Sequence, residues 1–351
     1  MLQYLIEYGL FLAKVVTLVA AFIIVLGTLV SLLGRQRQQH KDEGQLVIQH
    51  LNEHYDELRQ DVEEQLLPEA ERKKARKARH KAEKAKRKEE KKVATLEKKP
   101  RERVFVLDFD GDINASAVEN LRREISALLD VSDKQDEVVL RLESPGGVVH
   151  GYGLASSQLD RIRKHGLRLT ICVDKVAASG GYMMACIGDR ILAAPFAILG
   201  SIGVVAQIPN FHRLLKKHDV DVELMTAGEY KRTLTMFGEN TDHGRAKFQE
   251  ELEDAHDLFK NFVREHRRSL DIAKVATGEH WFGVRAKELG LADDIITSDE
   301  YLKQRSRDAD LYQFNWEVKQ RLAERLGFAA EGVLMRLTDR LLQRDRSSRL
   351  L

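Results

Sequence analysis

The chain has 351 residues, of which 43% are hydrophobic and 32% charged, so it is long and apolar enough for one large or two smaller globular domains. Its two cysteines, Cys172 and Cys186, exclude a disulfide framework, and neither has the C-x-x-C spacing of a metal or redox motif. The formal net charge of +2 conceals an asymmetry, because residues 72–103 hold 17 Lys and Arg against 5 Glu. A basic segment of charge +12 is therefore attached to an acidic remainder of charge −10.

An uncharged run of 19 residues, 15–33, lies near the N-terminus. As a helix it would span about 28 Å, close to the thickness of the hydrocarbon core of a bilayer. No A-x-A-like cleavage site is evident, which favours a retained transmembrane anchor over a cleaved signal peptide. Arg35, Arg37 and Lys41 follow the run, and the positive-inside rule then places the C-terminal bulk of the chain in the cytoplasm.

Two kinds of sequence separate the predicted anchor from the core. Residues 45–66 carry apolar side chains at three- and four-residue steps, which predicts an amphipathic helix. His50 and His54 lie four residues apart on it, but no third metal ligand is near, so a solvated helix face is favoured. Residues 72–103 predict a solvated helix or a disordered tether. No aromatic residue is interleaved there to stack on bases, so membrane lipid headgroups are favoured over nucleic acid as its partner.

From Val104 onward strand patterns alternate with helix patterns, which predicts an α/β domain. The predicted strands include RVFVLDFDGDI, DEVVLRLESPGG and LRLTICV. Residues 191–208 are uncharged over 18 positions, but Pro195 and two glycines break the run. Short buried strands are therefore favoured there over a second membrane span.

Ser179 lies in VAASGG, where the strand LRLTICV gives way to the pattern of an apolar helix. Its hydroxyl either caps that helix or acts as a nucleophile, and the local sequence leaves both open. The earlier motif SPGG ends another strand, and the N–H groups of Gly146 or Gly147, with that of Gly180, would suit an oxyanion hole. An ordinary Pro-Gly turn is the alternative interpretation of SPGG.

A hydrolytic serine needs a base, and the candidates are His150, His243 or a lysine kept neutral by burial. TAGEYKRT places Lys231 after a turn that contains glycine, although the residues alone do not single it out among many lysines. GSIGV places the hydroxyl of Ser201 in an apolar run, where it needs a hydrogen-bond partner. That partner is either the backbone or a neutral lysine amine.

The ordered motifs SPGG, VAASGGYMMACIGDRILAAP, GSIGV, GEYKR and GEHWFGVRAKELGLADDI resemble those of the signal peptide peptidase A family, which are membrane-anchored serine peptidases. The resemblance covers residues 104–296 and implies an α/β fold of the ClpP/crotonase-like kind, a spiral of repeated ββα units. It also implies a Ser–Lys dyad with Ser179 as nucleophile and Lys231 as general base. In this scheme Ser201 hydrogen-bonds the lysine, and no metal or cofactor takes part.

The predicted protein is thus a serine endopeptidase of the bacterial inner membrane, acting on membrane-associated or unfolded segments such as signal-peptide remnants. The resemblance implies homo-oligomeric rings and a catalytic domain outside the cytoplasm, against the charge rule. A crotonase-type enzyme acting on acyl-CoA thioesters and a non-catalytic membrane scaffold are the alternative functions. The predicted segments are an anchor (1–35), an amphipathic helix with basic linker (36–103), the peptidase domain (104–300) and a helical C-terminal extension (301–351), with an amphipathic helix at 331–346.

Overall fold

The computed structural model describes residues 44–72 and 101–318, together with four isolated positions, 14, 17, 74 and 77. Two compact units divide the chain: Val47–Asn315 form one, and Met1–Leu46 with Trp316–Leu351 form the other. The larger unit contains all of the candidate site residues.

Several sequence predictions fall almost wholly outside the described residues. They are the transmembrane anchor at 15–33, the greater part of the basic segment and the amphipathic helix at 331–346. Within the described ranges, no helix combines the length and the apolar character that crossing a membrane requires.

A seven-stranded sheet forms the centre of the fold, with the strand order β1-β10-β2-β3-β4-β6-β9. From β10 to β9 every neighbouring pair of strands is parallel. The strands of this sheet are β1 (Gly44–His50), β2 (Glu102–Asp110), β3 (Glu137–Glu143), β4 (Arg168–Val173), β6 (Arg190–Ala193), β9 (Asp294–Ile295) and β10 (Ala309–Val318).

A smaller sheet of three strands carries the candidate nucleophile. Its order is β5-β7-β8, with β5 and β7 parallel and β7 and β8 antiparallel. These strands are β5 (Val176–Ala178), β7 (Ile198–Gly200) and β8 (His280–Phe282). The uncharged run 191–208 therefore contains the short strands β6 and β7, which confirms the choice of buried strands over a membrane span.

Helices cover the sheets and connect their strands. The helices of the described residues that matter here are α1 (Leu51–Leu66), α2 (Val118–Val131), α3 (Val149–His165), α4 (Gly180–Ala185), α5 (His212–Lys217), α6 (Asp242–His266), α7 (Ile272–Val275), α8 (Gly283–Glu288) and α9 (Ser298–Arg305). Helix α2 packs on α3 and on β2, and it buries Leu121, Ile125 and Leu128, the apolar stripe that its sequence spacing predicts.

The core strands have the composition of a parallel sheet that is covered on both faces. In β2 the four residues from Val104 to Leu107 are all buried, and in β3 Val138, Val139 and Leu140 are fully buried. Such strands appear as continuous apolar runs rather than alternating ones. The α/β class predicted from the sequence is confirmed, and both cysteines are buried free thiols.

Two predicted helical regions contain strands instead. The amphipathic helix predicted over 45–66 begins only at Leu51, because residues 44–50 form β1. Asn52, at the start of the helix, is bonded to distant residues: its amide group donates to the carbonyls of Ser306 and Ala309, and its Oδ1 accepts from the N–H of Leu311. Residues 309–318, assigned from the sequence to a helical extension, form β10, so the sheet extends beyond 104–300 on both sides.

A buried carboxylate joins α9 to the sheet. Glu137 is 3% exposed and accepts hydrogen bonds from the Thr170 hydroxyl at 2.7 Å, the Tyr301 hydroxyl at 2.5 Å and Nε of Arg305 at 3.1 Å. Burial, and next the negative charge of Glu137, raises the pKa of Tyr301 from 10.0 to about 12. The neutral phenol is therefore the form that the folded state prefers.

This cluster predicts a loss of stability at high pH. A raised folded-state pKa contributes stability that is present below the ordinary tyrosine value of 10.0 and is lost as the pH rises towards about 12. We expect the free energy of unfolding in urea to fall over this range, and to fall less steeply in Tyr301→Phe. Equal slopes in the two proteins, measured from pH 9 to 11.5, would contradict the assignment to Tyr301.

Candidate active site

Ser179 forms the sharp turn between β5 and α4. Its backbone angles, φ 52° and ψ −119°, lie in a region that residues other than glycine rarely adopt. The turn is held by a hydrogen bond of 2.8 Å from the Ser179 N–H to the carbonyl of Gly200. The side chain makes no capping bond to α4, so the capping hypothesis is wrong. A strained serine between a strand and a helix is the arrangement that exposes a nucleophilic hydroxyl.

Ser201 lies beside Ser179 at the end of the neighbouring strand. The parallel register of β5 and β7 ends with Ala178 opposite Gly200, and the two serines are the next residues of their chains. Ser201 also has φ 52°, and its N–H donates to the carbonyl of Glu279 at 2.6 Å. Neither serine hydroxyl has a hydrogen-bond partner among the described residues, so both are available to a third group.

The SPGG motif packs directly onto the serine turn. Gly146 has φ +91°, and a Cβ added to it would lie 2.7 Å from the Cβ of Ser179 and 2.8 Å from the nitrogen of Gly180. A glycine is required here for two reasons, the positive φ and the close approach. The structure therefore brings Gly146, Ser179 and Gly180 together, as the sequence motifs predict, although they are more than 30 positions apart.

The two glycines of SPGG differ in the N–H group that they offer. The N–H of Gly146 donates to the hydroxyl of Ser144 at 3.1 Å, so it is already used. Gly147 is exposed, and its N–H has no acceptor among the residues that the structure describes. The N–H of Gly180 opens α4 and has no acceptor within the helix. Of the predicted oxyanion donors, Gly147 and Gly180 are the two that remain free.

The described single chain shows no bond between Lys231 and Ser179. Lys231 lies in an irregular segment between α5 and α6, its side chain is exposed, and its N–H donates to the carbonyl of Gly228 at 3.2 Å. Within the described ranges no hydrogen bond joins it to Ser179 or Ser201. The histidine candidates are likewise not bonded to Ser179: His150 and His243 are exposed, and neither has a hydrogen bond to Ser179 in those ranges.

The segment that carries Lys231 is unusually apolar for an exposed one. We call residues 205–237 the apolar segment. Val205 is 91% exposed and Met225 85%, and nine further large hydrophobic side chains of the segment are at least 38% exposed. These are Ile208, Phe211, Leu214, Val220, Val222, Leu224, Tyr230, Met236 and Phe237. Exposed apolar surface of this extent is typical of protein–protein and membrane contact sites and of ligand-binding grooves.

The comparison with known proteins identifies the family. The model of the N-terminal part of peptidase family S49 matches residues 3–159, and the peptidase family S49 model matches residues 161–312. The protein called Probable protease SohB from Haemophilus influenzae is 52% identical over 329 residues, which cover 92% of each chain. The chain belongs to peptidase family S49. This membership confirms the resemblance that the ordered motifs indicate.

Further S49 relatives come from Buchnera aphidicola and are likewise called Probable protease SohB. The one from the subspecies of Acyrthosiphon pisum is 57% identical over 230 residues, covering 66% of this chain and 68% of the relative. The one from the subspecies of Schizaphis graminum is 49% identical over 305 residues, covering 87% of each chain. The similarity thus extends well beyond the motifs around Ser179.

The two S49 matches meet inside the active-site region. Gly146 and Gly147 belong to the N-terminal match, whereas Ser179, Ser201 and Lys231 belong to the second. The boundary falls within α3, the helix that links the SPGG turn to the strand before the serine. In this S49 chain the candidate site is therefore formed by residues from both matched regions.

Two further residues lie beside this site, and one of them, Tyr152, carries no signal in the sequence. Tyr152 on α3 and Ser144, the first residue of SPGG, are both fully buried, and their hydroxyl oxygens lie 2.5 Å apart. Nothing in the spacing around Tyr152 distinguishes it from an ordinary core aromatic residue. Among the described residues, no three His, Cys, Asp or Glu side chains lie together in a way that would hold a metal ion.

Proposed function

We propose that the chain is a serine endopeptidase with a Ser–Lys dyad, in which Ser179 is the nucleophile and Lys231 the general base. The observation that carries the proposal is the Ser179 turn: a strained, uncapped serine that is followed by the free N–H group of Gly180 and packs against Gly146 of the SPGG turn. Two N–H donors beside the serine hydroxyl, from Gly180 and Gly147, would suit acyl transfer, because such donors stabilise the oxyanion as it forms. One oxyanion donor is typically worth about 10²- to 10³-fold in kcat.

The proposed mechanism needs only groups of the protein and water. The neutral amine of Lys231 takes the proton of Ser179 while Oγ bonds to the peptide carbonyl carbon, and the oxyanion rests on the Gly147 and Gly180 N–H groups. The C–N bond then breaks as the lysine ammonium returns the proton to the leaving nitrogen. Water, deprotonated by the same amine, attacks the acyl carbon, and the bond from that carbon to Oγ breaks as the ammonium gives its proton to Oγ, which restores Ser179 and the neutral amine. Ser201 holds the amine in place through its hydroxyl.

Assembly with further copies of the chain is part of this proposal. A lysine that acts as a general base must be neutral, and loss of contact with water favours the neutral amine. Lys231 is exposed in the described chain and lies in the apolar segment. A second copy that covers the apolar segment would remove both the exposed hydrophobic surface and the water around the amine. We therefore include homo-oligomer formation in the proposed active state.

We also propose that the enzyme is bound to the bacterial inner membrane. Residues 15–33 would supply the anchor, and residues 72–103 would contact anionic lipid headgroups. The substrates would be membrane-associated or unfolded segments such as signal-peptide remnants, because an extended chain reaches a half-buried serine more readily than a folded one. The fold of the proposed peptidase domain is the ClpP/crotonase-like spiral that the family resemblance implies.

The test uses the full-length chain, purified in detergent, and a fluorophosphonate probe that reacts with activated serines. We expect one adduct, which mass spectrometry of the digested protein maps to the peptide that contains Ser179. We also expect the labelled protein to lose its ability to hydrolyse unfolded casein. An adduct on another serine, or casein hydrolysis that labelling leaves unchanged, would refute the proposal.

A further inference from the structure

Two buried, hydrogen-bonded hydroxyl groups, those of Ser144 and Tyr152, contact the SPGG turn; we call them the hydroxyl chain. The Ser144 hydroxyl accepts from the Gly146 N–H at 3.1 Å and lies 2.5 Å from the Tyr152 hydroxyl. The Tyr152 hydroxyl donates to the carbonyl of Asp112 at 2.8 Å. The side chains of Ser144 and Tyr152 have no exposed surface. The hydroxyl chain thus connects the turns that follow β2 and β3.

The donor and the acceptor of each hydrogen bond in the hydroxyl chain are determined. A backbone N–H can only donate and a carbonyl can only accept, while each hydroxyl has one proton to give. Tyr152 gives its proton to the carbonyl of Asp112, so Ser144 must give its own to Tyr152 and keeps a lone pair for the Gly146 N–H. Burial, the largest cause, raises the pKa of Tyr152, so the phenol retains the proton that this order requires.

The same two residues also contact the turn that carries the nucleophile. The Ser144 N–H donates to the carbonyl of Val176 at 2.8 Å, and its carbonyl accepts from the N–H of Ala178 at 3.0 Å. The Tyr152 ring lies against Gly180, where an added Cβ would collide with its Cγ. Through these contacts the hydroxyl chain is coupled to both sides of the proposed oxyanion hole.

We propose that Ser144 and Tyr152 are positioning residues for the oxyanion hole, in that their directed hydrogen-bond chain holds the Gly146 peptide so that the Gly147 N–H faces Ser179. The inference rests on the proposed function. It assigns a role to the Gly146 N–H: this group is committed to Ser144, and it fixes the turn rather than binding the oxyanion. A catalytic donor that is held in place by buried partners needs no reorganisation when charge develops.

The experiment compares the removal of two buried tyrosine hydroxyls in the full-length chain. Tyr152→Phe breaks the hydroxyl chain and keeps the ring against Gly180. Tyr182→Phe is the matched control, because Tyr182 is also fully buried, lies on α4 and donates to the carbonyl of Leu291 at 3.0 Å. For each protein the fluorophosphonate reaction is measured over a range of probe concentrations. This separates the rate constant of the chemical step, kinact, from the binding constant, KI.

We expect Tyr152→Phe to lower kinact about tenfold, a fraction of the full value of an oxyanion donor, with KI within about twofold of wild type. Tyr182→Phe should leave kinact within about twofold, although both variants lose comparable thermal stability. Ser144→Ala should lower kinact as Tyr152→Phe does. The double variant should lose no more kinact than either single variant, because both residues act through the same hydroxyl chain. If Tyr152→Phe does not fold, Ser144→Ala gives the same comparison.

The results that overturn the inference differ from those that overturn the proposed function. A reactive wild type with kinact unchanged in Tyr152→Phe or Ser144→Ala overturns the positioning role alone. An equal loss of kinact in Tyr182→Phe does the same, because the effect would then follow from general destabilisation. A folded wild type that does not react with the probe overturns the proposed function, and the inference with it.

Discussion

Replacing Ser179 or Lys231 by alanine is expected to lower kcat for casein hydrolysis by about 10⁴- to 10⁶-fold, and the double variant is expected to fall no further. In the proposed mechanism the serine attacks only as the lysine accepts its proton, so neither residue contributes without the other. Catalytic groups that act as a unit give such non-additive losses. Initial rates of the three variants and of wild type, all at the same pH, measure the effect.

A neighbouring cation provides the control for charge. Arg232 follows Lys231 in the apolar segment and is likewise exposed. Arg232→Ala removes one positive charge from the same place, and we expect its kcat to stay within about twofold of wild type, because the guanidinium takes no part in the proposed proton transfer. If Lys231→Ala keeps more than a tenth of the wild-type rate, or if the losses of the single variants add, the dyad is not the catalytic unit. His150 and His243 would then be the bases to test.

The central strands were predictable because buried strands of this kind consist of consecutive apolar residues. Strands of a parallel sheet that is covered on both faces are continuous apolar runs, and β2, β3 and β4 have that composition. The strand β1 was not predictable in this way. The apolar spacing of residues 45–50 fits a helix as well as a strand, and the strand pairs with β10, whose residues come from the opposite end of the described chain.

In the candidate site, too, some features follow from the local sequence and others depend on distant parts of the chain. The turn at Ser179 follows from a strand, a serine and two glycines, but the residues alone left capping and nucleophilic roles open. The structure decides against capping because the Ser179 side chain makes no hydrogen bond to α4, which no sequence pattern records. Ser201 lies beside Ser179 because of the register between β5 and β7, which is a long-range property. The assignment of Lys231 depends on the family resemblance, since the single chain leaves this residue exposed.

The close packing of the SPGG turn on the serine turn predicts a severe effect of one methyl group. Gly146→Ala is expected to lower kinact with the fluorophosphonate at least 100-fold, about the loss of rate that follows when one oxyanion donor is removed. The added Cβ would lie 2.7 Å from both the Ala178 carbonyl oxygen and the Ser179 Cβ, and alanine is strained at φ +91°. The two turns must therefore move apart, and the Gly147 N–H moves away from Ser179 with them.

Gly153→Ala is the matched control for this substitution. Gly153 lies seven residues further along the chain, within α3, and a Cβ added there meets no atom within 4 Å. Alanine in a helix is preferred over glycine by about 0.5–1 kcal/mol, so this variant should gain slight stability and keep the wild-type kinact. Circular dichroism then establishes that Gly146→Ala is folded before its reactivity is compared. If folded Gly146→Ala reacts at the rate of Gly153→Ala, the SPGG turn does not contribute to the reaction of Ser179. The oxyanion would then have to be bound elsewhere.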